Sequence, residues 1–554
     1  MAQSTTTERQ PNGGKTSPEL EGTHHEVVII GAGVCGIYQL YRLLQLGVDV
    51  TALEAGEEPG GTWFWNRYPG CRFDSESWTY GYSFSKELLQ EWNWSEHFAA
   101  QPETLRYLQH VVAKFDLKKH MQFNCHVERA EFSNDANLWT LTLHDGRRKT
   151  CRYLMTAIGM LSAPTMPRIA GVDDFEGLAF HTYYAPREPV DYKGKRVAII
   201  GTGATAVQAI PVIAQDAAEL IVYQRRPNWC APLHNSKITP QEQAKIKATY
   251  DEIFAKCRQT PGGFIHGPDR RKLKDVPQEE RIAFWEHLYK QPGFGIWIGN
   301  FRDVLVDEQA NAEFTAFIAG KIRQRVKDPK VADMLIPKDH GFGTRRVPME
   351  TGYFEAYNRP NVHLIDVKDN PIERITAKGI KSKDGEREFD IIVYATGFDA
   401  ITGAFDRIEI VGTGGQKLAD KWHLGPVTYL GLQSAGFPNL LMLAAPQSGS
   451  VATNFPRGIE EAVDWATKLV SHLRDKGVTR IEASPEAERQ WVEHVKETYT
   501  YSLIGKAKSW FTGYNSNVEG HDILRYTVYN GGAPKYREWL TDVAQNGYRG
   551  FEMR

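Results

Sequence analysis

Val27-Val28-Ile29-Ile30-Gly31-Ala32-Gly33-Val34-Cys35-Gly36 is the stretch on which the fold turns. Four β-branched residues in a row read as a buried parallel strand. Glycines follow it at Gly31, Gly33 and Gly36, and a helical pattern runs from Ile37 to Leu46. The first Gly permits a tight turn. The second lets backbone approach a pyrophosphate, and the third lets the helix pack on the strand. The helix N-terminus adds a positive dipole for the phosphates. Val48 to Leu53 reads as the next strand and ends at Glu54, an acid placed for ribose hydroxyls. Gly31, Gly33, Gly36 and Glu54 are therefore expected to hold a dinucleotide.

The same design recurs at Val197-Ala198-Ile199-Ile200. Gly201-Thr202-Gly203-Ala204-Thr205-Ala206 follows, then a helical stretch and a strand from Leu220 to Tyr223. Ala206 stands where the third glycine is expected, a common variant. Gly201 precedes Gln224 by the same 23 positions that separate Gly31 from Glu54. Where the first unit has an acid, the second has neutral Gln224 and then Arg225 and Arg226. A carboxylate repels a 2′-phosphate, whereas guanidinium groups bind it in bidentate fashion. The second unit is thus expected to prefer NADPH over NADH. Two dinucleotide folds in one chain point to a flavoprotein with a nicotinamide reductant.

The rest of the composition narrows this. At 554 residues the chain is too long for one core, and two to four domains are expected. Lys and Arg number 66 against 68 Asp and Glu, so a broad basic surface for nucleic acid is excluded. Six cysteines, Cys35, Cys71, Cys125, Cys151, Cys230 and Cys257, include no CxxC pair. That argues against a disulfide oxidoreductase, a zinc site or any other metal centre, and it fits a reducing cytosol. No stretch reaches the roughly 18–20 apolar residues that span a bilayer. Residues 1–24 are polar, lack a signal-peptide core and read as a disordered tail. A dehydrogenase-type hydride shuttle or a monooxygenase remains.

The expected fold is α/β, with two Rossmann-like dinucleotide-binding domains, for FAD and NADPH, and a helical insertion. Residues 25–165 form the first part of the FAD domain and 166–235 the first part of the NADPH domain. Residues 236–337 form the insertion, with helical patterns at Glu242–Gln259, Gln278–Gln291 and Ala310–Lys327. Residues 338–388 return to the NADPH domain and 389–554 to the FAD domain.

A longer motif makes the reading specific. Gly60-Gly61-Thr62-Trp63-Phe64-Trp65-Asn66-Arg67-Tyr68-Pro69-Gly70-Cys71-Arg72-Phe73-Asp74 resembles the GGxWxxNRYPGxxxD signature of the type I Baeyer–Villiger monooxygenases. The wider fingerprint of that flavoprotein class, FxGxxxHxxxWP, is matched from Phe175 through Gly177 and His181 to Pro186, except that Ala185 replaces the Trp. Ala157-Ile158-Gly159, Gly343-Thr344-Arg345-Arg346, Ala395-Thr396-Gly397-Phe398-Asp399 and Ser509-Trp510-Phe511-Thr512-Gly513 are similar to further segments of the family, in the same order.

The resemblance implies an NADPH-dependent flavin monooxygenase. Reduced FAD reacts with O₂ at C4a, and the peroxyflavin anion attacks a ketone to give an ester or lactone. A fixed cation beside the flavin is needed, and Arg suits because it does not readily give up its proton. The resemblance places that cation at Arg346 and its carboxylate anchor at Asp74, which also serves the flavin and the nicotinamide. It places Thr62, Trp63, Trp65, Cys35, Tyr80 and Phe455 along the FAD, and Val127 at the adenine. It assigns Arg345 to the 2′-phosphate beside Arg225 and Arg226, and Trp510 to the nicotinamide ribose. His181 reads as a domain-orienting residue and not as an acid or base. Ala185 leaves an indole-sized gap, with Tyr183 and Tyr184 near to fill it. Gly262-Gly263-Phe264, Gly293-Phe294-Gly295-Ile296-Trp297 and Gly513-Tyr514-Asn515 are candidate mobile pocket walls.

Two rivals stay open at this point. One is an N- or S-oxygenating flavin-containing monooxygenase, and the other is a flavoprotein that merely oxidises NADPH. The expected partners are a small ketone and O₂, with no nucleic acid and no membrane. The expected state is a cytoplasmic monomer or weak homo-oligomer.

Overall fold

The computed structural model describes residues 24–554. The tail expected over 1–24 lies outside the described residues except for His24, which already opens the first strand.

The first sheet has eight strands. In order they are Glu409–Val411, Val127–Ser133, Leu138–Leu143, Arg148–Thr156, His24–Ile30, Val50–Leu53 and Met121–Gln122, with Leu440–Met442 also on Arg148–Thr156. The β-branched run is explained by cover on both faces. Val27 and Ile29 enter one core, while Val28 and Ile30 enter another. Helix Val34–Gln45 then packs on the long helix Phe455–Lys476, where Gln39 donates to Thr467 at 3.1 Å.

The second sheet is parallel throughout, in the order Val362–Asp366, Glu219–Gln224, Arg196–Ile200, Ile391–Tyr394, Leu178–His181. It too divides its strand between two cores, with Val197 and Ile199 on one side and Ala198 and Ile200 on the other. This sheet corrects the expected boundary at 389. Ile391–Tyr394 pairs with Arg196–Ile200 as a strand of the second domain, so the chain returns to the first domain only after Tyr394.

Register explains the equal motif spacings. Ile30 lies opposite Leu53, so Gly31 and Glu54 emerge side by side. Ile200 lies opposite Tyr223, which does the same for Gly201 and Gln224. Each first glycine also abuts a crossover segment. A Cβ on Gly31 would come within 2.5 Å of the Ala157 carbonyl, and one on Gly201 within 2.4 Å of the Ala395 carbonyl. Both glycines have positive φ, +102° and +114°, which no ordinary side chain favours.

The expected insertion is helical, with refined bounds. The first pattern is two helices, Pro240–Ala248 and Tyr250–Gln259, and the others are Gln278–Lys290 and Glu308–Arg325. Trp285, Phe314, Ile318 and Ile322 join the core that contains Val197 and Leu220, so this part is built onto the second domain. Among the described residues, no helix is long and apolar enough to cross a membrane.

Candidate active site between two dinucleotide-binding domains

A cavity of about 290 Å³ runs along the C-terminal edge of the first sheet. Gly31, Gly33, Cys35, Glu54, Thr62, Trp63, Trp65, Tyr80, Val127 and Phe455 all line it. Gly36 lies behind the turn. A Cβ there would stand 1.8 Å from the Gly31 carbonyl, so it is the packing glycine. Helix Val34–Gln45 starts at Gly33 with no side-chain cap, which leaves its first N–H groups to a ligand. The Gly60-Gly61 pair has a local reason as well. Gly61 has φ +53°, and a Cβ on it would meet the Gly33 Cα at 2.8 Å. The tryptophan motif is thereby clasped directly to the phosphate turn. These features fit an FAD.

Glu54 is 5% exposed. Its carboxylate accepts the Ala32 N–H at 2.7 Å and the Gly56 N–H at 2.8 Å. Burial pushes its carboxyl above the usual range, opposed by those N–H groups and by the Trp65 indole. Trp65 lines the cavity at its Glu54 end, stacked on Tyr183 with ring centroids 5.5 Å apart, and so belongs to the ribose end. Trp63 lies at the other end, where its indole donates to the Tyr80 hydroxyl at 2.9 Å. Burial raises the Tyr80 hydroxyl pKa, so it stays protonated.

The second unit presents an open turn. A Cβ on Gly203 would meet nothing within 4 Å, and helix Ala204–Asp216 also starts without a side-chain cap. Ala204 is exposed, Thr205 is half-buried, and Ala206 is fully buried in the packing position. Thr202 Oγ1 donates to the Arg226 carbonyl at 2.8 Å, which fixes the strand end against the turn. Gln224 is buried and donates to the Met334 carbonyl at 2.8 Å, leaving Arg225 and Arg226 exposed. Arg225 donates to Asn517 Oδ1 at 2.6 Å. Arg345 pairs with Asp339 at 2.9 Å, and Asp339 also holds His340 at 2.7 Å. Burial lowers the His340 pKa, opposed by Asp339, and Arg345 and Arg226 lower it further; Arg226 in turn bears on Arg225, so the three arginines share one neighbourhood. That arrangement fits a phosphate-bearing NADPH.

Asp74 and Arg346 meet at the seam between the domains. An Arg346 guanidinium N–H donates to Asp74 Oδ2 at 2.8 Å, and the two side chains are 29% and 4% exposed. Asp74 also accepts the Met349 N–H at 3.2 Å and Gln208 Nε2 at 3.3 Å. Neither residue lines the first cavity; Asp74 follows Phe73, whose ring stacks on Tyr80 at 4.3 Å. The guanidinium lies against two neighbouring aromatic rings, Phe294 at 5.1 Å and Trp297 at 5.6 Å.

Two of the expected pocket walls converge here. Phe264 touches Phe294 edge-on at 5.0 Å, and the Gly262 carbonyl accepts the Asn454 N–H at 2.7 Å, one residue before Phe455. Trp510 packs in an apolar cluster with Trp297, Phe511, Ile401, Val451 and Val528. It therefore shares a cluster with Trp297 of the aromatic wall on Arg346 and lies outside the first cavity.

Sequence reasoning missed Gln208. From its helix it donates to the Arg72 carbonyl at 3.0 Å and accepts the Tyr68 hydroxyl at 2.9 Å. A Cβ on Gly70 would come within 2.4 Å of the Gln208 carbonyl. The Asn66–Asp74 half of the signature is thus docked onto the second domain's helix. A lone amide in the apolar run Ala206 to Ile213 was the available signal. Phe294, Trp297, Asn517 and Arg407, which lines the first cavity, were also not singled out for these contacts.

His181 is 2% exposed. Its Nε2–H donates to the Gly397 carbonyl at 3.0 Å, and its Nδ1 accepts the Tyr183 N–H at 3.1 Å. Burial pushes its pKa down to about 4, so it is a neutral clamp that ties the linker at Tyr183 to the return crossover at Gly397. Ala185 is buried; Tyr183, stacked on Trp65, occupies the linker, while Tyr184 is 55% exposed.

A family model described as pyridine nucleotide-disulphide oxidoreductase matches residues 28–263. All six cysteines are unpaired and buried, so the match concerns nucleotide binding and not dithiol chemistry. The chain is 46% identical over 534 residues to 2-oxo-Δ3-4,5,5-trimethylcyclopentenylacetyl-CoA monooxygenase of Pseudomonas putida, covering 95% of this chain and 98% of that protein. It is 40% identical over 536 residues to a methyl acetate-forming acetone monooxygenase of Gordonia sp. (strain TY-5), covering 96% and 100%. A crystal structure of OTEMO in complex with FAD and NADP superposes with a TM-score of 0.92 at 45% identity, covering 96% of this chain and 99% of that one.

Proposed function

The chain belongs to the FAD- and NADPH-dependent Baeyer–Villiger monooxygenases, and we propose that it uses Arg346 and Asp74 to oxygenate a cyclic ketone. Bound FAD and NADPH supply the hydride and the activation of O₂. The remaining work falls to the chain. The carbon–carbon bond next to the carbonyl breaks, and oxygen is inserted in its place.

The observation that carries the reading is the half-buried Arg346 held by a 4% exposed Asp74 under two aromatic rings. In a site of low polarity, a fixed cation stabilises negative charge far more than it does in water. Asp74 keeps the guanidinium in place through one oxygen and is itself held by Met349 and Gln208. Phe294 and Trp297 exclude water from one face and leave an apolar surface for a ring ketone. The cation and its anchor suit attack by an anionic oxygen on a carbonyl, and disfavour the protonated oxygen donor that sulfides and amines need.

The cyclic preference rests on the relative with the higher identity, which is named for a cyclopentenyl substrate, against the one named for acetone. The six unpaired cysteines support a reducing compartment, and we place the enzyme in the cytoplasm. A panel of cyclic, linear and aryl ketones with a thioether control, followed by NADPH consumption and product mass, tests the reading. Esters or lactones from cyclic ketones are expected. Sulfoxide as the sole product would refute it.

A further inference from the structure

The net reaction leaves one proton to be supplied. One oxygen atom of O₂ enters a carbon–carbon bond and the other leaves as water. The ketone and NADPH each lose two electrons. NADPH contributes one hydrogen with its hydride, and the second hydrogen of the water arrives as a proton from solvent. Arg346 is a poor donor because guanidinium stays protonated. Asp74 is committed to Arg346, Met349 and Gln208.

A second acid stands beside this site without an assigned use. Glu76, two residues past Asp74, is 3% exposed, and its Oε2 is buried with no partner. Its Oε1 lies 2.7 Å from His266 Nε2. Its backbone carbonyl accepts the Thr79 and Tyr80 N–H groups at 2.9 and 3.2 Å, opening the turn that brings Tyr80 into the first cavity. On its other side, a Cβ on Gly293 would meet Oε1 at 2.8 Å, and the next residue, Phe294, lies on Arg346. His266 lines an open cavity of about 560 Å³ together with Lys256, Thr260, Gln291 and Gly295. The half-buried imidazole therefore borders the open cavity, and the carboxylate lies behind it against Gly293, one residue from the Phe294 ring on Arg346. An unpartnered carboxylate oxygen in the interior is costly unless it has work to do.

We propose that His266 and Glu76 are the proton inlet of the enzyme. His266 takes a proton from the open cavity and passes the one on Nε2 to Glu76 Oε1. Glu76 releases it from Oε2 toward the Asp74–Arg346 pair, and it ends in the product water. Among titratable groups, Lys256 lines the same cavity as His266 and Cys257 feels the Glu76 charge, while Asp74 lies two residues before Glu76 and is paired with Arg346. The inference rests on the Baeyer–Villiger reaction only through its stoichiometry.

The test uses the holoenzyme with a ketone that the wild type converts to an ester, so a wild type that makes no ester would refute the reaction assignment and not the inlet. His266→Gln and Glu76→Gln are expected to lower kcat about a hundredfold, the scale of a lost general acid–base group. Flavin reduction by NADPH, which needs no proton from solvent, should stay within twofold. Imidazole in the buffer should restore His266→Ala, because the open cavity admits it, and the solvent deuterium isotope effect on kcat should grow in both Gln variants. In the resting holoenzyme, the ¹⁵N resonance of His266 Nε2 should shift in Glu76→Gln. If Glu76→Gln loses FAD, Glu76→Asp serves instead, with the same expectations at smaller size. Unchanged kcat and isotope effect in His266→Gln, or no imidazole rescue of His266→Ala, would overturn the proposal.

Discussion

Replacing Gln208 with Leu tests how far the site depends on the seam between the domains. The change keeps the bulk of the side chain and removes its amide. Two contacts of good length are lost, the Tyr68 hydroxyl to Oε1 at 2.9 Å and Nε2 to the Arg72 carbonyl at 3.0 Å. Two longer ones go with them, from the Arg72 N–H at 3.4 Å and to Asp74 Oδ1 at 3.3 Å. With each good hydrogen bond contributing about 1 kcal/mol, and buried partners left bare, the loss is roughly 2–4 kcal/mol. It falls on the segment that carries Asp74, so part of it appears as a misplaced Asp74–Arg346 pair. If about 1.4 kcal/mol reaches the reacting geometry, turnover drops about tenfold. FAD content should hold, since Gln208 does not line the first cavity. Rapid mixing measures the rate of flavin reduction, and product analysis gives ester formed per NADPH. The expected result is intact FAD binding, a tenfold lower kcat and more hydrogen peroxide per NADPH. Wild-type kcat and coupling in Gln208→Leu would show that this contact does not position the site.

Arg346→Ala should lower ester formation at least a hundredfold, the effect of losing one charge-stabilising group, and it also strands the buried Asp74 carboxylate; steady-state product assays check this. Arg225→Ala with Arg226→Ala should raise KM for NADPH far more than KM for NADH, measured by initial rates with each cofactor. His181 gives a pH effect with a definite sign. Its native pKa is about 4 and its unfolded value about 6.5, so between those values the unfolded chain binds a proton that the native chain does not. Stability should therefore rise with pH across that window, and roughly 3 kcal/mol should be lost as pH falls from 6.5 to 4; denaturant unfolding at several pH values should show a shallower dependence in His181→Asn.

Much of this was legible in the residues because backbone requirements leave a local signature. The two strand–turn–helix units follow from β-branched runs and glycines, and the strand registers then force Glu54 and Gln224 into equivalent places. Which end of the cavity Trp63 and Trp65 occupy was not legible, because a motif gives order along the chain and not the direction of an indole. The domain boundary at 389 missed by one strand because Ile391–Tyr394 is apolar in either sheet, and only its pairing with Arg196–Ile200 assigns it. Gln208, Trp297 and Phe294 act across roughly 50 to 130 residues of sequence, and tertiary contacts of that span carry no local pattern. Ala185, where the fingerprint has a Trp, is buried, and close by in the linker Tyr183 stacks on Trp65.

The most direct measurement is isotopic. Holoenzyme is incubated with NADPH and cyclopentanone, cyclohexanone or acetone under ¹⁸O₂, and the products are weighed by mass spectrometry against NADPH consumed. The account predicts an ester or lactone with one ¹⁸O in its new ring or ester oxygen, the second ¹⁸O in water, and close to one NADPH used per product. Stoichiometric hydrogen peroxide with no labelled ester from any ketone would contradict it.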